Sequence, residues 1–156
     1  MTPNSQETRL KDKIQEALKG ALKRQQSVEV SALRLLLAEV KNDEIARQKP
    51  ADDNRVLDVI AKEVKRRRES IEAFKKGNRA DLVAQEEAGL AIVMRYLPEQ
   101  MGREEVIAAA RQAMDAVGAK GPSDKGRVMA QLMPQLKGKA DGRVISEVVS
   151  ELLAGR

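Results

Sequence analysis

The chain has 156 residues, of which 42% are hydrophobic and 34% charged, and its net charge is +5. That is enough for one domain or two small helical subdomains with a real core, and it excludes a disordered chain. Cysteine and histidine are both absent, which excludes disulfides, thiol chemistry, Ser-His-Asp and Cys-His catalysis, and ordinary zinc sites.

The apolar residues are mostly Leu, Val, Ile, Ala and Met, with Phe74 and Tyr96 as the aromatic residues. Helices favour that balance and strands do not, so an all-α, multihelical protein is expected. The first helix is expected from about Gln6 to Arg24, capped by Asn4 or Ser5, with Leu10, Ile14, Leu18, Ala21 and Leu22 at three- and four-residue steps. Ser27 opens a second helix to about Gln48, striped by Val30, Leu33, Leu37 and Val40 and widened by Leu36. Lys49-Pro50-Ala51-Asp52 breaks it.

The third helix runs from Asp52 or Asp53 to Lys76, with Leu57, Ile60, Val64, Ile71 and Phe74 on its core face. Arg67 and Arg68 both fall within about 60° of that stripe, whereas Arg66 points away. An arginine on a core face needs a partner, and a carboxylate from a neighbouring helix suits Arg67 better than a ligand. Gly77-Asn78 supplies a left-handed cap, and a fourth helix spans Ala80 to Leu97, stopped by Pro98. The subdomain boundary is placed there, giving 1–97 and 98–156. The fifth helix, Arg103 to Val117, is capped by Gly118. Gly121-Pro122-Ser123-Asp124 starts the sixth, which Pro134 bends or ends. Asp141 caps the seventh. The expected architecture is four long helices followed by a small three-helix unit.

No nucleotide-cradling glycine motif and no catalytic constellation stands out. Glu86 and Glu87 read as a solvated face. No cofactor or metal is implied. The N-terminus is polar, without an apolar h-region, and no apolar run approaches the roughly 20 residues of a membrane span, so a cytoplasmic protein away from membranes is expected.

Positive charge collects in two places. Lys62 to Arg79 holds eight Lys/Arg against three Glu, and Lys120 to Arg143 holds six against two Asp. The run Lys62-Glu63-Val64-Lys65-Arg66-Arg67-Arg68 reads either as a solvated face with i,i+4 ion pairs or as a phosphate-binding stripe through Lys65 and Arg66. The stretch from Gly121 to Gly142 also has two readings. In one, Gly138, Asp141 and the methionines build a helix–turn–helix corner. In the other, Lys137, Lys139 and Arg143 converge at a helix N-terminus to hold phosphate, with Lys125 and Arg127 upstream.

Several ordered motifs resemble the YqeY-like proteins. They are Tyr96-Leu97-Pro98-Glu99-Gln100-Met101, then Gly126-x-Val128-Met129-x-x-Leu132-Met133, then Lys137-Gly138-Lys139-Ala140-Asp141-Gly142. Upstream, Arg67-Arg68-Glu69-Ser70-Ile71-x-x-Phe74 and Gly77-Asn78-Arg79-x-Asp81-Leu82 agree as well. That family is similar to the tail of the B subunit of the tRNA-dependent Asp/Glu amidotransferase, which is all-helical and engages tRNA. The resemblance implies the four-plus-three fold. It implies structural positions at Arg67, Tyr96, Pro98, Gly126, Gly138, Asp141 and Gly142. It also implies a surface facing tRNA or another structured RNA, or one docking on an amidotransferase or synthetase. The family label of a carbon–nitrogen ligase with glutamine as amido donor follows the shared domain. The amidotransferase's activating cradle and glutaminase have no counterpart in this chain, so the resemblance implies binding rather than catalysis.

Overall fold

The computed structural model describes residues 9–155. Among them are seven α-helices, one turn of 3₁₀ helix and no strand, so the fold is all-α as composition predicts. The expected start of the first helix at Gln6, and its caps Asn4 or Ser5, lie outside the described residues. The chain divides into two compact units between Leu97 and Pro98.

The first unit holds α1 (Leu10–Lys23), α2 (Ser27–Arg47), α3 (Asp53–Lys76) and α4 (Ala80–Met94). Its core is built from Ile14 of α1, Leu33, Leu36 and Val40 of α2, Val56 and Ile60 of α3, and Val93 of α4. Each such side chain contributes about 1.5–3 kcal/mol on burial. Periodicity gave the right faces with shifted centres. In α2, Leu36 is buried along with Leu33, and Leu37 is half-buried. Leu22, expected on the first stripe, is exposed.

Carboxylates tie the helix ends together. Asp52 caps its own helix by accepting the Arg55 N–H at 2.8 Å. Asp53 reaches across to accept the Leu10 N–H at 2.9 Å, closing the start of α1 from α3. Glu44 accepts the Ala51 N–H at 2.8 Å and pairs with Lys11 at 2.9 Å, bracing the Pro50 break. Helix C-termini close on left-handed residues, Gln25, Gln48 and Asn78 in this unit. Asn78, not Gly77, carries the positive φ after α3, and the Arg79 N–H donates back to the Phe74 carbonyl at 2.9 Å.

The end of α4 differs from expectation. The helix stops at Met94, and residues 95–97 continue as tighter turns bonded three residues back, such as Leu97 N–H to Met94 O at 3.2 Å. Pro98 acts earlier than a simple stop would, because the residue before a proline avoids helical geometry. Tyr96 and Leu97 still pack on the core from this turn.

The second unit holds α5 (Arg103–Val117), the 3₁₀ turn Pro122–Asp124, α6 (Lys125–Leu136) and α7 (Gly142–Ala154). Val106, Ala110 and Met114 meet Val128, Leu132 and Leu136, and Ile145, Val148, Val149 and Leu153 close the core. Gly118 ends α5 at φ +66°, and the Ala119 N–H donates to the Met114 carbonyl at 2.9 Å. Asp124 accepts the Lys120 N–H at 2.8 Å and so shapes the approach to α6. Pro134 sits inside α6, which continues only to Leu136.

Candidate nucleic-acid interface

The α6–α7 connection is a tight turn with a specific chemistry. Lys137 has φ −56° and ψ 124°, Gly138 has φ +76°, and the Lys139 N–H donates to the Leu136 carbonyl at 2.9 Å. That is a type II turn with glycine at the position requiring positive φ. Asp141 then accepts the Arg143 N–H at 2.8 Å and caps α7.

The turn is pinned from outside by the segment after Pro98. The Gln100 side-chain amide donates to the Pro98 carbonyl at 2.7 Å and to the Gly138 carbonyl at 2.8 Å. The Met101 N–H donates to the Lys139 carbonyl at 2.9 Å. The Gly138 and Lys139 carbonyls are thereby used, and the side chains of Lys137, Lys139 and Arg143 stand exposed around the turn. Three cations thus share one seven-residue stretch with a fixed backbone. The Asp141 carboxylate occupies the Arg143 amide at the helix end, an amide that a bound phosphate would otherwise take.

Of the neighbouring candidates, Arg127 is tied into the structure. Arg127 donates to the Val117 carbonyl at 2.6 Å, satisfying the end of α5, and lies 3.7 Å from Asp124. Lys125 is half-buried at the start of α6. Gly126 has nothing within 4 Å of where a Cβ would sit, and a Cβ at Gly142 would meet only Met133 Cε at 3.9 Å. Of the motif glycines, only Gly138 has a backbone that demands one.

On the first unit, the basic run of α3 resolves into pairs. Arg66 pairs with Glu63 of its own helix. Lys62 and Arg66 line a groove of about 310 Å³ that Glu39, Asp43 and Glu63 also line, so acids outnumber bases there. Arg55 holds the Asp43 carboxyl below the ordinary carboxylate range, which keeps that charge in place. Lys65 is exposed. Arg67 lies between α3 and α4 with 11% of its side chain exposed. Its Nη1 donates to Glu86 of α4 at 3.2 Å. Its Nε lies 3.0 Å from Glu63 Oε1 but off the hydrogen-bonding direction, an ion pair without an aligned bond. Glu86 is therefore part of an interior ion pair, not the solvated face that sequence suggested, whereas Glu87 is exposed.

Among the described residues, no group of three or more acids is placed to hold a metal ion, and no helix is long and apolar enough to cross a membrane. A family model described as Yqey-like protein matches residues 11–153. The chain belongs to the YqeY-like family. It is similar to the altered inheritance of mitochondria protein 41 of Pyrenophora tritici-repentis, with 26% identity over 92% of this chain and 81% of the relative. Proteins of the same name match at 36% in Eremothecium gossypii and at 34% in Saccharomyces cerevisiae. Those matches cover 54% and 53% of this chain and under half of the relatives, 46% and 47%.

These names correct the cytoplasmic assignment, since all three relatives are named as mitochondrial proteins. A missing h-region bears only on secretory signals. Organelle transit segments are instead amphipathic and arginine-rich. Two YqeY-like motifs far apart in sequence prove to be one structural piece: Pro98-Glu99-Gln100-Met101 clasps Lys137-Gly138-Lys139. Gln100 and Met101 had no assigned role in the sequence reading. The available signal was a glutamine in a short, proline-led linker, where a side-chain amide can bridge carbonyls.

Proposed function

We propose that this YqeY-like protein is a non-catalytic module that binds tRNA or a similarly structured RNA, gripping phosphates with Lys137, Lys139 and Arg143. The observation that carries the reading is a set of exposed cations on a turn whose Gly138 and Lys139 carbonyls are bonded to Gln100 and Met101. Such a turn has a fixed backbone and loses little conformational freedom on binding. Gly126 supports it: glycine costs a helix roughly 0.5–1 kcal/mol, and nothing among the described residues requires it there. A partner backbone approaching α6 would. The similarity of the family to the tRNA-engaging amidotransferase tail points the same way. With Phe74 and Tyr96 both partly buried, recognition rests on phosphate and shape rather than on base stacking.

Purified protein titrated into tRNA at low and moderate salt tests this. Mitochondrial tRNA belongs in the assay beside bulk tRNA, given the names of the relatives. Binding that tightens as salt falls is expected. Binding no stronger than that of a neutral helical control at low salt, or capture of a stoichiometric amidotransferase or synthetase with no RNA, would overturn it.

A further inference from the structure

α2 is apolar on two faces. Its buried face packs into the first unit through Val30, Leu33, Leu36 and Val40. On the opposite side, Val28, Ser31, Leu35, Ala38, Asn42 and Ile45 recur at alternating steps of three and four, and all are exposed. Val28, Leu35 and Ile45 are 47%, 39% and 65% exposed. This spacing is the heptad seam of a helix pair, with Val28, Leu35 and Asn42 in one row and Ser31, Ala38 and Ile45 in the other. The small residues Ser31 and Ala38 allow close approach.

We propose that this seam packs against the same seam of a second copy of the chain, with the two α2 helices parallel and in register. Charge at the edges selects that occupant and that direction. One edge carries Arg34 and Lys41, and the other carries Glu39. In a parallel pair the basic edge of each helix meets the acidic edge of its partner, so Arg34 faces Glu39 twice. An antiparallel pair sets Arg34 and Lys41 against their own copies. Asn42 in the seam gives each copy a side-chain amide that bonds its symmetry mate only in register. Three heptads lie at the small end of stable interfaces, so the dimer is concentration-dependent with a dissociation constant on the order of micromolar.

The chain has no native cysteine, which makes cross-linking direct. Ser31→Cys and Ile45→Cys lie at opposite ends of the seam, about 21 Å apart along the helix. Parallel register self-links both variants. Antiparallel packing centred on the seam puts Val28 opposite Ile45 and Ser31 opposite Asn42, and self-links neither variant. An exposed control, Gln112→Cys on α5, should not link. Sedimentation should show a mass near twice 17.2 kDa, and Leu35→Glu should weaken association at least tenfold while leaving far-UV circular dichroism unchanged. Arg34→Glu and Glu39→Arg should each weaken it roughly fivefold, and the double swap should restore it. A chain that stays monomeric at high concentration, a dimer that links neither end, or a double swap as weak as the singles would overturn the proposal.

Discussion

Gly89→Ala separates two readings of Arg67. In an ordinary helix interior this change stabilises by roughly 0.5–1 kcal/mol, because alanine loses less backbone freedom on folding. In α4 a Cβ on Gly89 would overlap Arg67 Nη1 and lie 2.7 Å from Cζ and 3.2 Å from Nη2. The guanidinium must move, and moving draws it away from its ion pairs with Glu63 and Glu86. Glu63, only 3% exposed, keeps Arg66, so the main loss is the bond to Glu86, which regains some water at 28% exposure. A charged hydrogen bond contributes about 1.5–3 kcal/mol. Net of the helix gain, Gly89→Ala should destabilise by about 1–2 kcal/mol, or roughly 5–10 °C in melting temperature for a unit of this size. Thermal and urea unfolding followed by circular dichroism would measure it. In an Arg67→Met background the obstruction is gone, and the same substitution should stabilise instead. Gly89→Ala that stabilises the native chain, with no sign reversal between the two backgrounds, would refute the claim that the guanidinium is held in place.

Other outcomes follow from the helix ends and the charges. Asp141→Ala should cost about 1 kcal/mol as a lost N-cap, read by urea unfolding. Gln48→Gly should stabilise by up to about 1 kcal/mol, read as a higher urea midpoint, since Gln48 has a φ of +56° and glycine bears that conformation without strain. Four carboxyls are held low: Asp43 by Arg55, Glu44 by the Ala51 N–H and Lys11, Asp81 by Arg79, and Asp124 by the Lys120 N–H. In acid the unfolded chain binds more protons than the folded one. This stability is therefore fully present above the ordinary values of 3.8 and 4.5 and is lost as pH falls through the lower folded values. Urea midpoints across that range should fall, and Asp43→Asn should shallow the slope. Burial raises the Tyr96 hydroxyl above its ordinary 10.0, with Glu29 adding to the shift. Its contribution is present below pH 10 and lost as pH rises through the higher folded value, a loss that Tyr96→Phe should abolish.

Much of the fold was legible because an amphipathic helix writes its period into sequence. α2, α3 and α5 begin and end within a residue of where apolar spacing and caps put them. Asp52 and Asp141 cap as their positions suggested, and a polar Arg67 on an apolar stripe announced an interior ion pair. Periodicity gives the face of a helix but not what lies against it. Gly89 reads as a weak spot in a helix until Arg67 is seen lying over it. Glu86 reads as solvent-facing until α3 is placed beside it. The Gln100 clasp joins residues 38 apart, and no local rule links a glutamine after a proline to a glycine carbonyl two helices later. The end of α4 also moved, because Pro98 acts on it from beyond.

The most direct test of the functional account is tRNA affinity across a salt series. It compares the native chain with Lys137→Ala/Lys139→Ala and with a matched Lys62→Ala/Lys65→Ala control. Three phosphate contacts predict that affinity falls roughly 20- to 40-fold for a fourfold rise in salt. Removing two of them should lower the slope of log affinity against log salt by about 1.4–1.8, with the α3 control leaving it unchanged. Equal losses from the two pairs would mean that net charge matters and this turn does not, and would contradict the account.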